Sequence, residues 1–284
     1  MPPGEVARLA ARAGFAGVEL RAHPEEPVSP RIDARQRADV RAEFARAGVE
    51  ILAVAGYARV AEARDERGEE ELAAELTDLV LLAAELEAPY VRVFPGGGDR
   101  PAAEADADAA RHLAAVAPYA AERGVRVLLE THDSHPTGAD ATRVLGAVGH
   151  KNIGALWDVL HPWRAGEAPA DTYAALAPYL GYVQVKDVAS AQDTTPLPLG
   201  AGTLPLEECL APLREAGWDG WLCWEYEKRW YPHATDLPAL LAPGLAHLWQ
   251  LLTTGGAGGT SRSAPCGRTD GTGGPGGADP FRTG

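Results

Sequence analysis

The chain has 284 residues, 46% of them hydrophobic, and a formal net charge of -14 at pH 7. That length suits one large barrel or two ordinary domains, and the acidic surplus repels phosphate backbones, which argues against a nucleic-acid partner. The three cysteines form no CxxC pair, no basic-then-apolar leader opens the chain, and no long uncharged apolar run occurs, so a cytoplasmic chain with no membrane partner is expected.

In chain order, residues 4–13 read as a helix feeding a short strand, Gly17–Arg21. Helix 32–47 then leads to strand 49–55, and helix 69–87 to strand Tyr90–Phe94. The acidic residues of 69–87 are spread as on a solvated helix face. Helix 104–123 leads to strand 125–131, and helix 139–148 to strand Ile153–Asp158. Helix 170–180 leads to strand 182–187, and helix 206–216 to strand 220–225. A strand and a helix recurring every ~30–40 residues is the pattern of parallel βαβ units. Strands apolar on both faces suit a sheet covered by helices.

The fold class expected is α/β, a TIM (β/α)8-type barrel over residues 1–254. A closed barrel of this type has eight strands, and seven are legible here. Because the chain opens in a helix, the expected missing element is the first strand, lying before Met1. Either an upstream start restores it, or strands Gly17–Arg21 and 220–225 keep open edges. An open doubly wound sheet needs a Gly-rich turn after an early strand. Gly96, Gly97 and Gly98 come late and lack that spacing. Residues 255–284, rich in Gly, Pro, Ser and Thr with Phe281 as the one aromatic, read as a disordered tail.

In a parallel barrel, catalytic groups stand at the C-terminal ends of strands. Glu130, Asp158, Gln184 and Glu225 stand at four successive ends. Side chains alternate across a strand. Glu130 shares a face with Leu128, Gln184 with Tyr182 and Lys186, and Glu225 with Trp221 and Cys223. With that face inward, the four converge at the barrel mouth. One such acid alone is more often a strand-end ion pair, but four in succession favour a shared centre. Three carboxylates there repel unless a cation compensates them. Oxygen donors of this kind suit Mn²⁺ or Mg²⁺, with Co²⁺ as a third candidate. His132 reads either as a hydrogen-bonding support or as a substrate contact. Trp163 reads either as a ring stacking on a sugar face or as core. His23, His112, His150 and His247 read as surface residues.

Seven stretches carry a resemblance. They are GVELR (17–21), YVRVFPG (90–96), LETHD (129–133), ALWDVLH (155–161), YVQVKD (182–187), PLGAG (198–202) and WEYEK (224–228). In this order they resemble the sugar phosphate isomerase/epimerase superfamily, the xylose-isomerase-like TIM barrels. The resemblance implies a divalent metal, Mn²⁺ foremost, held by Glu130, Asp158, Gln184 and Glu225. Many relatives carry His where this chain has Gln184, and the hydroxypyruvate-isomerase-like branch also uses Gln.

It further implies catalytic roles for Glu130 and Glu225. One removes the proton beside a substrate carbonyl that the ion polarises. The same or the other glutamate returns it, through an enediolate, to the neighbouring carbon or to the opposite face. His161, Lys186, Arg92, His132, Arg164 and Trp163 are the expected contacts to a small sugar, sugar phosphate or keto-polyol. Two alternatives share the resemblance: a dehydratase that expels a β-hydroxyl, and a catalytically silent sugar-binding barrel. A related endonuclease branch carries a His-richer multi-metal site and favours a basic surface, and this chain has neither. No feature of the sequence specifies an oligomeric state.

Overall fold

A computed structural model describes residues 1–254 and the pair Arg282–Thr283. The rest of the tail expected to be disordered lies outside the described residues. Seven parallel strands follow one another around the sheet in chain order: β1 (Gly17–Arg21), β2 (Glu50–Arg59), β3 (Tyr90–Phe94), β4 (Arg126–Glu130), β5 (Ile153–Asp158), β6 (Leu180–Val185) and β7 (Trp221–Trp224). Helices connect and cover them, and the expected TIM-type barrel is present, nearly closed. Arg282–Thr283, here β8, pairs in parallel with Trp221 and Leu222 of β7. Among the described residues β8 and β1 do not pair, so the seam of the barrel lies between β1 and the β7–β8 edge.

Local chemistry sets the element bounds. α1 (Pro3–Ala13) opens on a proline and closes on Gly14 at φ +90°, a left-handed conformation that glycine adopts without strain. α2 (Ala34–Ala47) starts at the Asp33 capping box with Gln36, just past the expected Ile32. α3 (Glu66–Glu85) is capped by Asp65, and α5 (Gly138–Val148) by Thr137. α4 (Ala102–Glu122) and α8 (Leu206–Glu215) match expectation closely.

Three departures have physical reasons. β2 runs on to Arg59, past the expected 55, because Arg59 pairs again with Phe94 of β3 after an irregularity beyond Ala55, and Gly56 within it lets α3 pack close, since a Cβ there would lie 2.5 Å from Leu79. A short helix, α6 (Leu160–Ala165), forms directly after β5, ahead of α7 (Pro169–Leu176). α9 (Leu241–Thr254) adds a helix after those expected, and Pro243 and Gly244 lie inside it. Pro243 falls in the first turn, where its missing N–H is no loss. Leu241, Leu245, Leu248 and Leu252 then form a buried stripe at helical spacing.

Two apolar clusters hold the fold. The larger lies between strands and helices. The smaller fills the barrel interior with Leu52, Ala53, Leu128, Leu156, Tyr182, Trp221 and Cys223, and Tyr90 packs against it. This interior layer is the floor on which the polar residues one strand-pair higher stand. At the seam, Trp221 of β7 covers Gly17 of β1, where a Cβ would sit 2.7 Å from the indole. Above it a cavity of about 360 Å³ opens, lined by Phe15, Val18, Glu19, Trp224, Glu225 and Leu237 among others. No described helix is long and apolar enough to cross a membrane.

Candidate active site

Strand alternation carries the interior upward from apolar to polar. Tyr90 is followed two residues on by Arg92, Leu128 by Glu130, Leu156 by Asp158, Tyr182 by Gln184 and Cys223 by Glu225. The result is a polar ring on an apolar floor, at the C-terminal end of the strands. Arg92, Glu130, Asp158, Gln184 and Lys186 are all buried, Asp158 and Gln184 completely. Glu225 lies one residue past β7, where its N–H still pairs with the Val185 carbonyl at 2.9 Å. Glu19 joins the ring from β1.

Ion pairs divide the ring in two. On one side Lys186 Nζ lies 2.8 Å from Asp158 Oδ2, touches Glu225 closely and stands 3.8 Å from Glu227. Burial alone would lower the Lys186 ammonium, yet these carboxylates outweigh it and hold the group well above the usual lysine value. Asp158 responds in kind: burial would raise it, but Lys186 and His161 hold it below the usual carboxylate range. On the other side Arg92 Nε lies 3.2 Å from Glu130 Oε2. There burial wins and pushes Glu130 well above the usual value despite Arg92, with Glu225 and Asp158 adding to the rise. Five carboxylates, Glu19, Glu130, Asp158, Glu225 and Glu227, thus face two permanent cations, Arg92 and Lys186. Burial lowers His132, so it is not a third cation at neutral pH.

The donor set can be tested for fit to a metal ion on its own atoms. Gln184 Oε1 is buried and has no hydrogen-bond partner, whereas Glu130 Oε2 and Asp158 Oδ2 meet the cations Arg92 and Lys186. A buried oxygen left without a partner is costly unless a cation meets it. Glu130, His132 and His161 also present ligand atoms within 4.8 Å of one another, a group able to hold a metal ion. That group shares Glu130 with the expected donor set but takes two histidines in place of Asp158 and Glu225, which face Lys186 instead, so the structure offers a candidate metal site at this end of the ring.

The remaining expected residues fall around this centre. His132 packs between Phe94, at 4.5 Å, and His161, at 4.2 Å between ring centroids, with both rings tilted to it. Arg92 lies 4.0 Å over the Phe94 ring. His161 Nε2 is 3.4 Å from Asp158 Oδ2. Arg164 is exposed and donates to the Ala191 carbonyl at 2.8 Å. With His132 and His161 it lines a cavity of about 660 Å³ beside the ring. Trp163 packs against the outer core and is not among that cavity's lining residues. His112, expected at the surface, is buried against the core, its Nδ1 2.7 Å from the Val60 carbonyl.

Sequence reasoning left two ring residues without a role, Glu19 and Glu227. Both are strand-end acids and carried that signal. Their partners, Gln184 and Lys186, lie on another strand, which no local pattern encodes.

Comparison with known proteins fits this arrangement. Residues 7–250 match the family model of the xylose isomerase-like TIM barrel, and the chain belongs to that family. A stretch of 73 residues is 34% identical to a 3-dehydroshikimate dehydratase of Bacillus anthracis, covering 25% of this chain and 26% of that protein. The matched stretch thus spans about a quarter of that curated relative. The fold is similar to a D-psicose 3-epimerase structure, with a TM-score of 0.75, 15% identity and coverage of 89% of this chain and 94% of that one. It is also similar to a xylose isomerase domain protein from Alicyclobacillus acidocaldarius, with a TM-score of 0.68, 25% identity and coverage of 88% and 92%.

Proposed function

We propose that the chain is a cytoplasmic, metal-dependent isomerase or epimerase of a small sugar or keto-polyol, working by proton transfer at a carbon beside a carbonyl. The observation that carries this reading is the acidic ring of Glu130, Asp158 and Glu225, in which the buried, neutral Gln184 Oε1 is left without a hydrogen-bond partner. Together they make a hard oxygen donor set suited to Mn²⁺, or to Mg²⁺ or Co²⁺. When bound, such an ion would supply Lewis acidity to a substrate carbonyl. The protein's own groups do the proton work. Glu130 stands on β4 and Glu225 just past β7, so they flank the centre from different strands. Burial raises Glu130 well above the usual glutamate value, which favours its taking up a proton. Lys186, His161, Arg92 and His132 supply donors that orient substrate hydroxyl or acidic groups, and Arg164 lies at the outer edge.

The match to the 3-dehydroshikimate dehydratase supports a second reading on the same ring. After proton removal, Lys186 or His161 would hand a proton to a departing β-hydroxyl. One experiment separates the two. The Mn²⁺-loaded protein is incubated in D₂O with a panel of ketopentoses, ketohexoses and keto-polyols and followed by NMR. An isomerase or epimerase exchanges a substrate C–H for deuterium without losing water, and Glu225→Gln abolishes that exchange. Stoichiometric loss of water selects the dehydratase. Sugar binding without exchange, with any metal, overturns both in favour of a silent binding barrel.

A further inference from the structure

Resting on that reading of the ring, we propose that Glu19 is a positioning residue: it fixes the orientation of the Gln184 side-chain amide and so presents its carbonyl oxygen to the divalent cation. Gln184 Nε2 lies 3.0 and 3.1 Å from the two carboxylate oxygens of Glu19. The Tyr182 hydroxyl, two residues earlier on the same strand, donates to Glu19 Oε2 as well. The carboxylate of β1 is thus held by two donors from β6, and the amide is held in return.

Only one end of the Gln184 amide can face the Glu19 carboxyl, whose two oxygens here both accept, from Gln184 Nε2 and from the Tyr182 hydroxyl. A carboxylate accepts hydrogen bonds and donates none, whereas the amide has a donating nitrogen and an accepting oxygen. The terminal torsion of a glutamine is soft and roughly two-fold, so rotation alone does not choose between the ends. Glu19 chooses. Turning the amide over would set Oε1 against the Glu19 oxygens and forfeit the hydrogen bonds from Nε2. With Nε2 committed, Oε1 is the end left over, and it is buried without a partner. A neutral amide helps to hold a cation only through its oxygen; a misdirected NH₂ would repel the ion. Glu19 therefore decides whether Gln184 acts as a ligand, though Glu19 need not touch the ion.

The test uses the full chain, freed of metal and titrated with MnCl₂ by calorimetry. Glu19→Gln is isosteric, but its amide can donate to Gln184 Oε1 and turn that oxygen away from the centre. It is expected to weaken Mn²⁺ binding about 10- to 100-fold, the usual effect of losing a residue that orients a ligand. The swapped pair Glu19→Gln with Gln184→Glu puts a carboxylate at 184 and an amide donor at 19, and is expected to recover most of the loss. In the metal-free wild type, the Gln184 side-chain NH₂ protons should exchange slowly with solvent by NMR, a readout that needs no bound ion. A folded Glu19→Gln variant that binds Mn²⁺ within about twofold of wild type overturns the proposal, as does a swap that recovers nothing. If Glu19→Gln does not fold, fast exchange of the wild-type Gln184 amide overturns it instead. A wild type that binds no Mn²⁺ contradicts the metal reading, and slow amide exchange in that same protein would still report the Glu19 contact.

Discussion

Lys186 Nζ lies 2.8 Å from Asp158 Oδ2 at the centre of the polar ring, and the same ammonium reaches Glu225 and Glu227. It compensates the carboxylates that the cation would also compensate. Lys186→Met removes the nearest countercharge of the buried Asp158 and leaves it beside Glu225 with only His161. Losing one partner of a buried pair costs roughly 3–5 kcal/mol, and the metal-free variant should lose stability on that order. Mn²⁺ should then raise its melting temperature by more than it raises that of the wild type. Thermal denaturation with and without Mn²⁺ reads both effects. Equal metal-free stability of variant and wild type would show that the contact is unimportant.

The pH dependence of metal binding follows from Glu130. Burial pushes it well above the usual glutamate value, and a cation needs the ionised form. A proton must therefore leave as the ion enters, so affinity should rise with pH above the ordinary glutamate range. In the metal-free protein the raised Glu130 contributes stability at pH below its unfolded value. That contribution is lost as the pH rises through the folded value, because the unfolded chain then binds fewer protons than the native one. The stabilisation by Mn²⁺ should grow over the same span. Calorimetry in two buffers of different ionisation enthalpy should detect the released proton in wild type and a smaller release in Glu130→Gln. No release in wild type would contradict the assignment.

Asp187 turns away from the ring although it neighbours Lys186. Its carboxylate accepts from the N–H groups of Val188 at 3.0 Å, Gly200 and Gly202 at 2.9 Å, and Leu204 at 3.3 Å. Gly202 is required there, since a Cβ would meet the Val188 carbonyl oxygen at 2.3 Å. Asp187 thus anchors loop 198–204. Asp187→Ala and Gly202→Ala should each lower stability by about 1–3 kcal/mol while Mn²⁺ affinity stays near wild type. Urea denaturation and Mn²⁺ titration check the pair of outcomes, and a large loss of affinity in a stable variant would give Asp187 a role in the site.

Much of this was legible in the sequence because the two relevant periods are local. The bounds of β1, β3 and β5 came directly from short apolar runs followed by polar residues. The alternation that pairs Leu128 with Glu130 and Tyr182 with Gln184 placed those side chains on the interior face, where the structure has them. What was not legible depends on contacts between distant segments. Glu19 was visible as a strand-end acid, but its partner Gln184 is 165 residues away. The burial of His112 depends on the Val60 carbonyl, 52 residues earlier. The competition of Lys186 for the carboxylates depends on three strands meeting in space. α9 depends on packing as well: its Leu241, Leu245, Leu248 and Leu252 stripe is buried against distant segments.

The central claim is that Glu130, Asp158, Gln184 and Glu225 together hold one divalent cation, and Mn²⁺ titration of the metal-free chain tests it most directly. The account predicts about one ion per wild-type chain, with Glu130→Gln and Asp158→Asn each weakening binding by tenfold or more, since each removes a charge from the donor set. Folded variants of both kinds that retain wild-type metal content and affinity would contradict it.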